Sequence, residues 1–154
     1  MSKKHVHTKS SRDPECLLCQ ALDRSRERGL RMTKALEDVL RMLIESDKPL
    51  TLADIAESKN LSSQADRATV YRLLTKLEKL GVIRRLGLHD RAAYYTMIFP
   101  GEHNDYLVCT ACGSIDRLHI DCPVGELEDE IAKKSKFTQL YHELMFFGLC
   151  PKCA

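Results

Sequence analysis

Tryptophan is absent from this chain of 154 residues, and only five tyrosines and four phenylalanines supply aromatic bulk. A small core without large aromatics gains from a metal staple. No apolar stretch approaches the roughly 20 residues that a helix needs to cross a bilayer. The opening Met1-Ser-Lys-Lys-His lacks the apolar centre of a secretory signal, so the chain reads as cytoplasmic, with no membrane partner. No nucleophile–base motif appears anywhere, which argues against an enzyme. No internal repeat appears beyond two short cysteine knuckles. What is present is an ordinary hydrophobic share of 44%, enough for one domain or two small ones.

The net charge of +2 conceals an uneven distribution. Residues 1–85 carry 18 Lys+Arg against 12 Asp+Glu, whereas residues 86–154 carry 6 against 10. A basic half joined to an acidic half suggests a polyanion-binding module attached to something else.

Four of the seven cysteines form two C-x2-C knuckles, Cys109-Thr-Ala-Cys112 and, after 37 intervening residues, Cys150-Pro-Lys-Cys153. Each knuckle brings two thiols to one side of a tight loop, and two knuckles supply the four sulfurs of a tetrahedral zinc site. Gly113 lets the chain turn sharply beneath the metal. The odd cysteine total and the missing signal argue against disulfides, and neither pair lies between a strand and a crossover helix as a thioredoxin-like pair would. With all four positions taken by cysteine, the zinc is structural; a catalytic metal needs an open position.

Along the chain, residues 1–15 read as a flexible polar arm containing His5 and His7. Residues 16–28 allow a short, poorly patterned helix in which Cys16-Leu-Leu-Cys19, with His5-Val-His7 upstream, offers zinc-capable ligand types in an unusual arrangement. Thr33 looks like an N-cap for a helix with Leu36, Val39, Leu40, Leu43 and Ile44 on one face, stopped at Lys48-Pro49. Thr51 and Asp54 form a capping-box-like start to a second short helix. A third helix follows, with Val70, Leu73, Leu74, Leu77 and Leu80 inward, Gly81 at its end, and Arg67, Thr69, Tyr71, Arg72, Lys76 and Lys79 outward. This is helix-turn-helix grammar. The period then changes to two, so residues 82–86 and 93–98 read as a hairpin with His89 at its tip, making the module winged. Pro100-Gly101 marks the boundary, giving a winged-helix domain over 16–99 and a second domain over 102–154. The latter reads strand (106–108), knuckle, strand (114–120), helix from near Pro123 with Val124, Leu127 and Ile131 inward, strand (140–147), knuckle.

Gly29-Leu-Arg-Met-Thr, Ala68-Thr-Val-Tyr-Arg-Leu-Leu, Leu80-Gly-Val-Ile, Tyr106-Leu-Val-Cys-Thr-Ala-Cys-Gly and Phe147-Gly-Leu-Cys-Pro-Lys-Cys together resemble the ferric uptake regulator (Fur) family over roughly residues 20–153. The resemblance implies an α+β fold: an N-terminal winged helix-turn-helix that reads palindromic double-stranded operators, and a small C-terminal α/β dimerisation domain with a four-cysteine structural zinc. It further implies a homodimeric, metal-responsive regulator, most simply a repressor. Tyr71 and Arg72 match the family's recognition-helix contacts, and Arg31 matches a basic residue that reaches toward the minor groove. A tyrosine ring packs on thymine methyls and arginine bridges guanine or phosphate bidentately. Arg67, Lys76 and Lys79, with Thr69 on the same face, would add phosphate contacts and salt-dependent affinity.

The departures from the family pattern are equally specific. The usual histidine-rich run before the first knuckle is His103-Asn104-Asp105-Tyr106 here, Lys48-Pro49 occupies another expected histidine position, and Tyr95 stands where a glutamate is expected. A second family site fares better: His103 and Asp105 lie two apart on a strand and so face one way, and His142 matches its distant histidine. Glu126 is nearest in register to its glutamate, with Cys122 the softer alternative. Such a set suits zinc, iron or manganese, and a cysteine ligand favours zinc. Two functions remain open: a zinc- or iron-responsive repressor closed by metal at His103, Asp105 and His142, or a regulator of the same fold that responds to redox state or haem, or binds DNA without an exchangeable metal.

Overall fold

The computed structural model describes residues 13–62, 65–86, 93–99, 104–138 and 140–154. The polar arm up to residue 12, the hairpin tip with His89, and the boundary at Pro100-Gly101 lie outside these residues.

Helix α1 (Pro14–Glu27) begins earlier than its sequence pattern predicts, because Asp13 caps it and accepts a hydrogen bond from the Glu15 N–H at 3.2 Å. Proline in the first helical turn costs nothing there, since its missing N–H has no partner in that turn. Cys16 and Cys19 lie on this helix; Cys19 is exposed and Cys16 half-buried. Helix α2 (Lys34–Glu45) is capped by Thr33, whose hydroxyl accepts from the Leu36 N–H at 3.2 Å. Thr51 and Asp54 satisfy each other's backbone N–H groups, at 3.1 and 2.8 Å, in the reciprocal box that opens α3 (Leu52–Ala56). Helix α4 (Arg67–Lys79) is capped by Asp66, which accepts from the Thr69 N–H at 2.7 Å. It ends at Gly81 with φ 64°, where the Gly81 N–H reaches the Glu78 carbonyl and the Val82 N–H reaches the Leu77 carbonyl. That paired closure needs a left-handed residue, which glycine supplies at least cost.

Strands β1 (Leu50–Thr51), β2 (Ile83–Leu86) and β3 (Tyr94–Met97) form an antiparallel sheet in the order β1-β3-β2. The wing hairpin is in register, with Ile83 opposite Met97 and Leu86 opposite Tyr94. The two-residue β1 had no sequence signal; it pairs Leu50 with Tyr95 directly after the proline that stops α2. Leu36, Val39, Leu40, Ile55, Val70, Leu74, Leu77 and Val82 are fully enclosed between the helices and this sheet. Arg24 of α1 locks the hairpin to the helices by donating to the carbonyls of Ile98 and Gly81, the latter at 3.0 Å.

The second half contains β4 (Asp105–Cys109), β5 (Ile115–Leu118), α5 (Gly125–Ser135) and β6 (Met145–Gly148), with sheet order β5-β4-β6. The β4–β5 pair is antiparallel and the β4–β6 pair parallel, so α5 serves as the crossover that a parallel pair requires. Two expectations need correction. The last strand covers Met145–Gly148 rather than residues 140–147, since residues 140–144 lie outside it, with only the Leu144 carbonyl reaching the Tyr106 N–H of β4 at 3.0 Å. Val124, Leu127 and Ile131 do not face a core within the chain: α5 has no buried residue, and Leu127 and Ile131 are 52% and 44% exposed. Among the described residues no second layer covers that face, so an apolar stripe in sequence became an apolar surface.

The two halves meet directly. Leu86 and Tyr94 of the hairpin pack with Tyr106, Val108, Ile115 and Met145 in a second small cluster.

Candidate nucleic-acid interface and metal sites

The α4 helix turns Val70, Leu74 and Leu77 into the core, which forces the intervening positions outward. Tyr71 is 54% exposed, and Arg67, Arg72, Lys76 and Lys79 are exposed beside it. Thr69 is half-buried at the cap, where its hydrogen bonds hold the Asp66 carboxyl below the usual carboxylate range. Arg67 is lightly tethered by Glu57 at 3.3 Å, and the Arg72 Nε donates back to the Ala68 carbonyl at 3.3 Å. Arg31, also exposed, precedes α2. A cationic helix face carrying one exposed tyrosine, followed at once by a hairpin, can contact phosphates and base edges together.

The four knuckle cysteines converge: one ligand atom from each of Cys109, Cys112, Cys150 and Cys153 lies within 4.8 Å of all the others. All four are free thiols rather than disulfides. The Cys112 and Cys150 sulfurs are 3.7 Å apart, close to the edge of about 3.8 Å that a tetrahedral shell with zinc–sulfur bonds of about 2.3 Å imposes. Gly113, at φ 73°, makes the turn beneath them. The N–H groups of Cys112 and Cys150 point at Cys109 Sγ, at 3.5 and 3.3 Å, and lower its pKa to about 6. Cys153, crowded by the Cys150 and Cys112 thiols, is pushed up to about 12. The donor set therefore fits zinc, which would take all four sulfurs and hold the C-terminal knuckle to β4.

The other metal-site candidates lie differently. His103 falls outside the described residues. Asp105 is buried on β4, and its Oδ1 has no hydrogen-bond partner among them. Glu126 is exposed in the first turn of α5. Among the described residues, Asp105, Glu126 and His142 are not gathered into one ligand group; the knuckle cysteines are the only such group of three or more. His142 instead contacts Cys122, whose Sγ is 3.3 Å from Nε2, while Glu128 hydrogen-bonds to Nδ1. Glu128 was not singled out in the sequence because register drew attention to Glu126. Two residues apart on a helix, the two carboxylates leave different faces.

The positions where the resemblance expected an interdomain metal are joined by other means. Tyr106 donates to Thr96 Oγ1 at 3.0 Å, Tyr95 is buried in the hairpin, and Lys48 pairs with Asp116 at 2.5 Å. Thr96 and Asp116 gave no sequence signal as partners.

These features define a winged-helix fold with a thiol-clustered second half. The chain belongs to the ferric uptake regulator family, whose family model matches residues 27–147. It is 31% identical over 130 residues to the ferric uptake regulation protein of Legionella pneumophila, covering 83% of this chain and 94% of that one. The Bacillus subtilis ferric uptake regulation protein is 30% identical over 127 residues, covering 80% and 85%. The solved structure of Helicobacter pylori Fur, reported with three functional metal binding sites, superposes with a TM-score of 0.68 at 26% identity over 91% of this chain and 94% of that one. A zinc-bound manganese uptake regulator gives 0.60 at 25% identity over 84% and 98%. The chain is thus a DNA-binding transcription regulator of the Fur family. Among the described residues no helix is long and apolar enough to cross a membrane.

Proposed function

We propose that this chain is a cytoplasmic, homodimeric repressor of metal-homeostasis genes that binds palindromic operators in response to zinc or iron. The observation that carries the reading is the outward face of α4, where Tyr71 is 54% exposed among Arg67, Arg72 and Lys76. A buried structural role would not leave a tyrosine and three cations on one helix face. Zinc in the four-cysteine cluster is structural on this reading. A second ion, zinc, iron(II) or manganese(II), would draw on His142 with His103 and Asp105, and with Glu126 or Cys122. The solved relatives with several metal sites, and with zinc or manganese in their names, support a metal signal.

A second reading is favoured by the junction itself. Tyr106–Thr96 and Lys48–Asp116 join the halves at positions where the family expects metal ligands, which suits DNA binding that needs no exchangeable metal. Metal content and operator affinity, measured together before and after mild chelation, separate the two. One tight zinc plus a removable ion whose loss changes operator affinity supports the metal-responsive repressor. One zinc and unchanged affinity supports the second reading.

A further inference from the structure

Helix α2 buries one charge among its apolar residues. Leu36, Val39 and Leu40 are fully enclosed, and Asp38 beside them is 6% exposed. A buried carboxylate is costly unless its oxygens are engaged, and here both are. Oδ1 lies 3.0 Å from the Lys34 ammonium one turn earlier, and Oδ2 accepts from the Ser62 N–H at 2.8 Å. Lys34 is itself largely exposed, and its hydrogen bond to this carboxylate raises its pKa.

Ser62 belongs to the turn between α3 and α4. Other backbone bonds in that turn are short-range: the Ser58 N–H reaches the Ile55 carbonyl at 3.3 Å, and the Leu61 N–H reaches the Ser58 carbonyl at 3.1 Å. Asp38 instead fastens the turn to α2 across 24 residues of chain. From Ser62 two further bonds lead on to α4. The Ala65 N–H donates to the Ser62 carbonyl at 3.0 Å, and the next residue, Asp66, caps α4 by accepting from the Thr69 N–H at 2.7 Å.

We propose that Asp38 is a positioning residue for operator recognition: through Ser62 it sets the angle at which α4 presents Tyr71 and Arg72, and with it the preference for operator over other DNA. The proposal deepens the operator-binding reading and rests on α4 as the recognition helix.

Two features argue for positioning rather than for stability alone. First, an apolar side chain would lie among Leu36, Val39 and Leu40 at less desolvation cost, and replacing a buried ion pair by apolar groups is often neutral or stabilising. What the carboxylate adds is direction, an accepting oxygen aimed at one N–H. Second, Ser62 is half-buried, so without its acceptor the N–H can turn to water and the turn moves with it. Hydrogen bonds to base edges are directional, whereas attraction to phosphates is long-ranged and blind to sequence. A displaced α4 therefore loses base reading first.

The test uses the full-length protein and two duplexes, one selected by the wild type from a random pool and a scrambled copy of it. Fluorescence anisotropy gives the ratio of the two affinities. The wild type should prefer the selected duplex at least about 1,000-fold. Asp38→Leu fills the site with an apolar side chain, so the urea midpoint should hold or rise. Its preference should nevertheless fall at least about tenfold, with the salt slope on the scrambled duplex unchanged. Amide hydrogen exchange at Ser62 should quicken in the same variant. Asp38→Asn keeps an acceptor oxygen for Ser62 and should recover most of the preference. Val39→Ala opens a cavity beside Asp38 without removing its hydrogen bonds, so the midpoint should drop and the preference remain. A wild-type preference in Asp38→Leu overturns the proposal, as does an equal loss in Val39→Ala. Asp38→Asn no better than Asp38→Leu would overturn the route through Ser62. An Asp38→Leu variant that fails to fold would make Asp38 a stability element, which also overturns it. A wild type that holds both duplexes equally would instead sink the recognition-helix reading.

Discussion

The Tyr106 hydroxyl donates a 3.0 Å hydrogen bond to Thr96 Oγ1 and so ties the central strand of the second sheet to the wing hairpin. Tyr106 is 2% exposed, and burial pushes its phenol pKa up, so the hydroxyl keeps its proton across the neutral range. Tyr106→Phe keeps the ring in its cluster but strands the Thr96 hydroxyl at the junction. The expected cost is about 1 kcal/mol, read as a lower urea midpoint at unchanged slope. The nearby Lys48–Asp116 pair is a useful contrast, since both side chains are more than half exposed. Lys48→Ala should leave the midpoint almost unmoved, because water screens the exposed pair. Equal effects from the two substitutions would mean that the buried bond does not hold the junction.

Arg72→Ala addresses the DNA-binding face. Arg72 is exposed and, among the described residues, its side chain hydrogen-bonds back to its own helix, so its loss should leave the fold intact. Operator affinity should fall by about 1–3 kcal/mol if the guanidinium reads a base, with relaxed specificity at that position. If it contacts phosphate alone, affinity should fall evenly across sequences and the salt slope should shrink by about 1. Unchanged affinity in a fluorescence-anisotropy titration would falsify the assignment of α4 as the recognition helix.

Local rules made much of this fold legible. The caps at Thr33 and Thr51, the stripes of α2 and α4, and the Gly81 closure each involve residues within a few positions of one another. The two knuckles were equally readable, because the chemistry of four thiols leaves few alternatives. What the sequence hid depends on distant partners. The β1–β3 pair, the Tyr106–Thr96 bond and the Arg84–Glu143 pair join segments whose meeting no periodicity records. The α5 stripe misled in another way: apolar spacing identifies a face to be covered, and is silent on whether the cover comes from the same chain. Glu128 went unnoticed because alignment by register cannot tell which face of a helix turns toward His142.

The thiol cluster should take up zinc in a pH-dependent way. Ligation needs four thiolates, and without metal Cys109, at about 6, ionises most readily, while Cys153, at about 12, keeps its proton. Zinc must displace that proton, so apparent affinity should rise with pH. The loss should steepen below about pH 6, where Cys109 also becomes protonated. Competition against a chromogenic chelator between about pH 5.5 and 8 reads both effects. Cys112→Ser removes one ligand and should leave a weakly held metal and a frayed C-terminal knuckle. A flat pH profile, or a Cys112→Ser variant that keeps its zinc under chelation, would argue that the sulfurs do not share one ion.

The apolar face left open on α5 implies a partner. Leu127 and Ile131, with Val124, Leu140 and Leu144, line a groove that is almost wholly apolar, and β6 is an edge strand with Phe146 and Phe147 about half exposed. A lone chain in water gains nothing from such a surface, whereas a second copy can bury it by two-fold symmetry. Ile131→Asp places a carboxylate in the groove at a position already 44% exposed, so helical content should be retained. Dimer dissociation should increase at least about 100-fold, since a charge at the centre of an apolar interface is left without a partner. Sedimentation velocity at micromolar protein would show the wild type as a dimer and the variant as a monomer. Operator affinity should fall with it, because each half-site would then be bound without its neighbour. A variant that stays dimeric would place the contact between copies elsewhere and leave the α5 groove for a different occupant.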